Sequence, residues 1–186
     1  MATASKTKTT MTAAQLYRKP NHGGRYELVQ GEMVPISPAG PTHGKIALRL
    51  GATLWQFVQQ HDLGEVYAAE TGFTILENPD TVRAPDVAFV ARERIPPTGE
   101  PDGFWRIAPD LVVEVLSPYD KASQVQDKIT DYLTAGVRLL WLVDPHSQTV
   151  TVYESLDRVK ILIGDDTLDG GDVLPGFALP LPQLFM

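Results

Sequence analysis

Two short apolar runs, each with a carboxylate inside it, constrain this chain more than any other feature. Ala84-Pro85-Asp86-Val87-Ala88-Phe89-Val90 and Pro109-Asp110-Leu111-Val112-Val113-Glu114-Val115-Leu116-Ser117 have the Val, Leu and Phe content of buried strands. Asp86 stands near the start of the first and Glu114 late in the second. A buried carboxylate is costly unless it is paired, hydrogen-bonded or bound to a metal. Two of them in consecutive strands point to one shared site, so the fold has to bring those strands together.

The remaining chain supplies elements for one α/β (α+β) layer structure. At 186 residues the expectation is a single domain over residues 12–186, behind a disordered tail at 1–11. A short helix at 13–18 leads to a hairpin, 26–29 with 32–36, in which Gly31 takes the positive φ of the turn. Residues 42–61 show Ile46, Leu50, Leu54, Phe57 and Val58 at helical spacing, with Thr42 as N-cap. Strands are expected at 65–69, 72–76, 84–91 and 111–116, with an irregular loop at 92–103. Ser117-Pro118-Tyr119-Asp120 opens a second helix that runs to Ala135, with Gly136 after its end. Strands at 137–143 and 149–153 and an edge strand at 161–163 follow. The Pro- and Leu-rich stretch 173–185 reads as an irregular wrap. Trp55, Trp105, Trp141 and Tyr132 read as core. The order predicts a mixed central sheet with a helix on each face.

Composition narrows the function classes. The chain has no cysteine, so disulfides and thiolate metal sites are excluded. No apolar run reaches membrane-spanning length and no secretory h-region opens the chain, so a cytoplasmic location is the expectation. The formal charge of -7 argues against a general nucleic-acid binder and suits carboxylates that hold a divalent cation. Arg49, Arg92, Arg94, Arg106 and Lys45 are the only candidates for a phosphate-facing rim, and they are scattered along the chain.

If their strands pair, Asp86 and Glu114 converge on an oxygen-ligand site of the kind Mg²⁺ or Mn²⁺ takes, with the Val115 carbonyl as a further ligand. Lys128 lies at the edge of the second helix's apolar face, beside Val125 and Tyr132. Its stem can run along the sheet and bring the ammonium to the carboxylates. Lys121 is the rival, but a helix N-terminus is a poor place for a cation.

This arrangement resembles the PD-(D/E)XK nuclease superfamily and, within it, the Uma-type restriction endonucleases. The pieces that carry the resemblance begin with Tyr26-Glu27-Leu28, Gly31-Glu32, Ser37-Pro38, His43-Gly44 and Glu70-Thr71-Gly72-Phe73. They continue through Ala84 to Val90, Glu114-Val115-Leu116-Ser117-Pro118, Lys128 with Tyr132, and Gly136-Val137. Trp141-Leu142-Val143-Asp144-Pro145 and Leu174-Pro175-Gly176-Phe177 complete them. The resemblance implies a restriction-endonuclease-like core with Asp86 and Glu114 as metal ligands and phosphodiester hydrolysis as the reaction. The superfamily's lysine normally stands two residues after the strand Glu, where this chain has Leu116; the Uma-type pattern moves it to the helix, onto Lys128. Glu32, His43, Glu70 and Tyr132 are candidate auxiliaries.

Each residue also has a structural reading. Lys128 alone reads as a solvated helix lysine bridged to Asp131 or Gln124, His43 as a helix-start residue, and Glu32 and Glu70 as turn or strand-end residues. Asp165, Asp166 and Asp169 read as a solvated acidic loop. Three functions stay open: a metal-dependent nuclease acting on DNA, a catalytically degenerate nuclease-fold binding or scaffolding module, and a metal-dependent phosphoesterase on another substrate. A homodimer is expected from the apolar Pro/Leu tail and the hairpins.

Overall fold

The computed structural model describes residues 10–19 and 24–186. The tail at 1–9 and most of the loop at 20–24 lie outside the described residues. At the tail's end, Met11 N–H donates to the Gly31 carbonyl, 2.9 Å away.

Helix α1 (Ala13–Tyr17) is closed by a capping box between Thr12 and Gln15. The hairpin β1 (Arg25–Val29) and β2 (Glu32–Ile36) follows, then the long helix α2 (Pro41–His61). Its N-cap is Gly40, with Pro41 in the first turn, and not the expected Thr42. Pro41 needs no N–H at that position and its φ suits a helix start, so the helix begins one residue earlier. Strands β3 (Gly64–Ala68), β4 (Phe73–Leu76), β5 (Thr81–Arg83) and β6 (Val87–Ala91) come next. Gly64, at φ +147°, has to be glycine, because a Cβ there would lie 2.1 Å from the Val90 carbonyl oxygen. After a loop that contains a 3₁₀ turn at Arg92–Arg94 come β7 (Leu111–Val115) and helix α3 (Ala122–Thr134). The expected opening of α3 at 117–120 is instead a separate tight turn. Ser117 N–H donates to Asp120 Oδ2 at 2.8 Å and Asp120 N–H to the Ser117 carbonyl at 3.0 Å, which closes those residues on each other.

The main sheet holds six strands in the order β10-β9-β8-β7-β6-β3, with β8 (Leu139–Asp144), β9 (Thr149–Tyr153) and β10 (Val159–Leu162) completing it. Only β7 and β8 run parallel, and α3 makes the crossover between them. A second sheet, β2-β1-β5-β4, joins the N-terminal hairpin to β5. That second sheet was not foreseen, because β5 is only three residues long.

Alternation along β6 and β7 divides the core. Val87, Phe89, Ala91, Leu111, Val113 and Val115 face α2, where Ile46, Leu50, Leu54 and Val58 pack on them. Ala88, Val90 and Val112 face α3 and its Ile129 and Tyr132. Glu114 shares the parity of Val112, and Asp86 that of Ala88. Glu114 is therefore presented to the α3 side, whereas Asp86, one residue before β6, sits at the sheet end within reach of the first turn of α2.

Two further expectations are corrected. The C-terminal stretch is ordered: β11 (Thr167–Gly170) pairs with β12 (Leu174–Pro180), and α4 (Leu181–Phe185) follows. Its prolines sit where no ladder bond is lost. Pro175 falls in the irregularity where the register shifts, Pro180 at the strand end and Pro182 in the first turn of α4. Leu174, Phe177, Leu179, Leu181 and Leu184 are buried against α2 and the sheet, and Phe177 stacks on Trp141 with ring centroids 5.5 Å apart. The large apolar side chains of the tail therefore belong to the core and are not free for a partner. Trp105, Trp141 and Tyr132 are core, but Trp55 is 54% exposed. It lies on the outer face of α2, away from the Leu50–Leu54 stripe.

Truncating the α2 stripe should leave a cavity that the sheet cannot close. Leu54→Ala is expected to cost about 2–5 kcal/mol, read as a lower urea midpoint at constant slope. Gln56→Ala, on the exposed side, should stay within about 0.5 kcal/mol of the parent.

Candidate active site

β6 and β7 are antiparallel neighbours with Val87 opposite Val113, and the Asp86 N–H donates to the Val113 carbonyl at 3.1 Å. One further step in this register sets Asp86 opposite Glu114. Asp86 Oδ2 accepts the Val115 N–H at 2.8 Å and lies 3.1 Å from His43 Nε2, which comes from the first turn of α2. Asp86 thus ties the end of β7 to the start of α2. Its other oxygen, Oδ1, makes no hydrogen bond among the described residues. The bond to Asp86 raises the His43 pKa above the ordinary histidine value; burial opposes this, and Glu114 and Asp120 reinforce it.

Glu114 is held from α3. Its Oε2 accepts from Lys128 Nζ at 3.0 Å and its Oε1 from the Tyr132 hydroxyl at 2.7 Å. Lys128 and Tyr132 are one helical turn apart, so both reach the same carboxylate. Burial pushes the Glu114 pKa up; Lys128 pulls it down, and the negative charges of Asp86 and Glu27 push it further up. Burial also works against the Lys128 charge, but Glu114 and Glu27 outweigh it and raise the pKa above that of a free lysine. Tyr132, raised by burial and then by Glu114, stays a phenol and therefore a donor.

The second sheet contributes a third carboxylate. Glu27 of β1 is 3% exposed. Its Oε2 accepts from Arg83 Nη1 at 2.7 Å. Its Oε1 accepts the Ala84 N–H at 3.2 Å and lies 3.5 Å from Lys128 Nζ. Arg83 also donates through Nε and Nη2 to Asp131 Oδ2 of α3. Glu27 therefore grips both the segment that leads into Asp86 and the lysine that reaches Glu114. Four carboxylates (Glu27, Asp86, Glu114 and Asp131) face two fixed cations (Arg83 and Lys128), with His43 the third group able to carry positive charge. Among the described residues, no group of three or more His, Cys, Asp and Glu side chains is placed to hold a metal ion by itself.

Of the residues singled out from sequence, the fold brings Asp86, Glu114, Val115, Lys128, His43 and Tyr132 together. Glu32 is exposed at the start of β2, on the N-terminal hairpin. Glu70 pairs with Arg25 at the surface. Lys128 does not bridge to Asp131, which Arg83 has taken. Lys121 is the exposed N-cap residue of α3, and Leu116 contributes only its N–H, to the Val143 carbonyl at 2.8 Å. The candidate rim is not assembled. Arg92 pairs with Asp62, Arg94 with Asp110 and Arg106 with Glu77, while Arg49 holds the carbonyls of Leu184 and Met186. Glu27, Arg83 and Asp131 are not among the site residues expected from sequence, where Asp131 stands only as a bridge to Lys128. The buried-charge criterion that flagged Asp86 and Glu114 applies equally to Glu27 in Tyr-Glu-Leu-Val and Arg83 in Thr-Val-Arg.

Residues 13–182 match the model of the Uma2 family, described as "Putative restriction endonuclease". The chain belongs to that family. A solved structure from Anabaena variabilis ATCC 29413, described as "a putative nuclease belonging to DUF820", superposes with a TM-score of 0.82 at 24% identity. The match covers 94% of this chain and 97% of that one. At that identity it establishes the fold of this Uma2 chain and nothing further. No curated protein matches it.

The buried network sets an energetic expectation. Arg83→Ala leaves Glu27 and Asp131 without their guanidinium and should cost about 3–5 kcal/mol in urea unfolding. Arg25→Ala removes only a surface partner of Glu70 and should cost under about 1 kcal/mol.

Proposed function

We propose that this Uma2 chain is a metal-dependent nuclease that hydrolyses phosphodiester bonds of DNA. The observation that carries the reading is Lys128 Nζ at 3.0 Å from Glu114, on the strand paired with the one that Asp86 enters. A strand acid, a neighbouring acid and a lysine delivered from the following helix meet at one sheet end, with Leu116 vacating the superfamily's lysine position.

The donor set suits a hard divalent cation. Asp86 Oδ1 is unengaged among the described residues, each Glu114 oxygen accepts one hydrogen bond and has capacity for another, and the cluster carries excess negative charge. Asp86, Glu114 and the Val115 carbonyl would hold Mg²⁺ or Mn²⁺, with water completing the shell. Bound there, such an ion would supply polarisation of the phosphate and a lowered pKa for water. Lys128, a cation held between Glu114 and Glu27, orients the attacking water or offsets charge on the phosphoryl oxygens. Tyr132 and Glu27 keep Glu114 and Lys128 from turning away. His43, hydrogen-bonded to Asp86, holds that carboxylate at the end of β7.

One observation favours a second reading, a nuclease-fold binding module without turnover. The same contacts bind α3 and the hairpin to the sheet, and the arginines proposed as a rim are committed to carboxylates and carbonyls. Two measurements separate the readings. Calorimetric titration with Mg²⁺ and Mn²⁺ should show binding by the parent and none by Asp86→Ala. Nicking of supercoiled plasmid should fall about 10²-fold or more in Lys128→Ala and in Glu114→Ala. Metal binding without nicking supports the module, and nicking that survives both substitutions overturns the mechanism.

A further inference from the structure

Between β7 and α3 the chain holds an aromatic ring out in solvent. Tyr119 is 94% exposed, more than any other large apolar side chain among the described residues. A single exposed aromatic is ordinary on a protein surface. Tyr119 is set apart by where it stands and how it is held. It follows Glu114 by five residues. Ser117 to Asp120 form a β-turn, with Pro118 at the position its fixed φ suits and the Asp120 N–H donating to the Ser117 carbonyl at 3.0 Å. The Asp120 carboxylate turns back to accept the Ser117 N–H at 2.8 Å. The turn satisfies itself and makes no use of the tyrosine ring. It also borders the site, because the Asp120 charge reaches His43, the partner of Asp86.

Helix α3 continues from this turn. Lys128, Gln124 and Lys121 lie along one line of the helix, about 10 Å from end to end. Lys128 meets Glu114 at 3.0 Å, while Gln124 and Lys121 are exposed. Lys121 enters no ion pair among the described residues, whereas Arg92, Arg94 and Arg106 are each held by a carboxylate. The line therefore leads from the acids outward to a free ammonium and then to the Tyr119 ring.

We propose that Tyr119 and Lys121 form a subsite for one unpaired strand of DNA that runs along α3 into the site, the ring stacking on a base and the ammonium taking a backbone phosphate. This rests on the nuclease reading of Asp86, Glu114 and Lys128. Stacking of this kind needs a base whose face is open, as in a single strand or a splayed end, and it tolerates any sequence. Duplex binding draws instead on a row of cations facing the backbone. In this chain of formal charge -7 the arginines that could make such a row are committed elsewhere, so a contact that leans on stacking suits it better. The closed turn also holds the ring in place beforehand, so little freedom is lost on binding.

The test reads binding and not turnover, by fluorescence anisotropy of labelled oligonucleotides in EDTA. The parent should bind a single strand at least about tenfold tighter than the duplex of the same sequence, and Tyr119→Ala should lose about tenfold on the single strand while Tyr119→Phe keeps it. An abasic position moved along the oligonucleotide should weaken the parent at one place and leave Tyr119→Ala indifferent there. Lys121→Ala should make the slope of log affinity against log salt shallower by about 0.7. Tyr119→Ala should keep the parent's urea midpoint, since the ring packs on nothing. Equal binding by Tyr119→Ala and the parent, a preference for duplex, or no binding at all overturns the subsite, whether or not the protein cleaves. Single-strand binding that depends on Tyr119, with no cleavage in Mg²⁺ or Mn²⁺, sustains the subsite and counts against the nuclease reading alone.

Discussion

A carboxylate inside a central strand has to be answered by the element that covers it, and much of this structure follows from how Glu114 is answered. Its strand is paired on both sides, so the side chain can only meet what packs on the face it points to. That element is α3, which brings a lysine and a tyrosine to one carboxylate from adjacent turns of the helix. Because α3 is also the crossover between the two parallel strands, its position over Glu114 is set by chain connectivity as well as by packing. Ile129, between Lys128 and Tyr132, anchors the helix in the same core. Neither the polar contact nor the apolar one can move without the other.

The N-terminal hairpin extends this logic to a second layer. Glu27 is nearly inaccessible, yet it is shared among Arg83, the Ala84 N–H and the edge of Lys128. Arg83 in turn bridges to Asp131 on α3. The small second sheet is thereby joined to the main sheet through buried charge as well as through apolar packing. Such networks are strongly destabilised by the loss of one partner, even where the whole set adds little over an apolar replacement. Their value lies in fixing geometry. The segment that leads into Asp86 is held at Ala84 by Glu27 and at Asp86 by Val113, so its carboxylate is delivered at a defined place beside His43 and Val115.

Legibility in the sequence followed the strength of the local signal. The α2 stripe, β6, β7, β8 and β9 were readable because their periodicity is dense and their turns carry Gly, Pro or Asp. The Asp86–Glu114 pair was readable because charge in an apolar run is conspicuous. Lys128 was readable only from helix geometry together with the resemblance. The start of α3 was misplaced because Ser117 and Asp120 satisfy each other in a turn, and a capping sequence does not reveal which use it will serve. The C-terminal stretch is ordered against expectation because a proline breaks regular structure only where its missing N–H is needed. Pro175 sits in an irregularity of the ladder and Pro182 in a first helical turn, and neither interrupts a bond. Trp55 was misread because apolar character at helical spacing does not say which face will be covered.

Sequence alone determined the strongly periodic elements and the presence of an acid in each of two neighbouring strand segments, since these depend on side-chain period and on the cost of buried charge, which act over a few residues. Only the tertiary structure decided which groups answer those acids. Glu27 and Arg83 lie 56 residues apart and Glu114 and Tyr132 18 apart, so their meeting depends on how the hairpin joins β5 and on how α3 crosses the sheet. The same holds for α2. Its sequence carries two apolar stripes, and the packing of sheet and C-terminal hairpin settled that Leu50 and Leu54 would be core while Leu48 and Trp55 would remain outside.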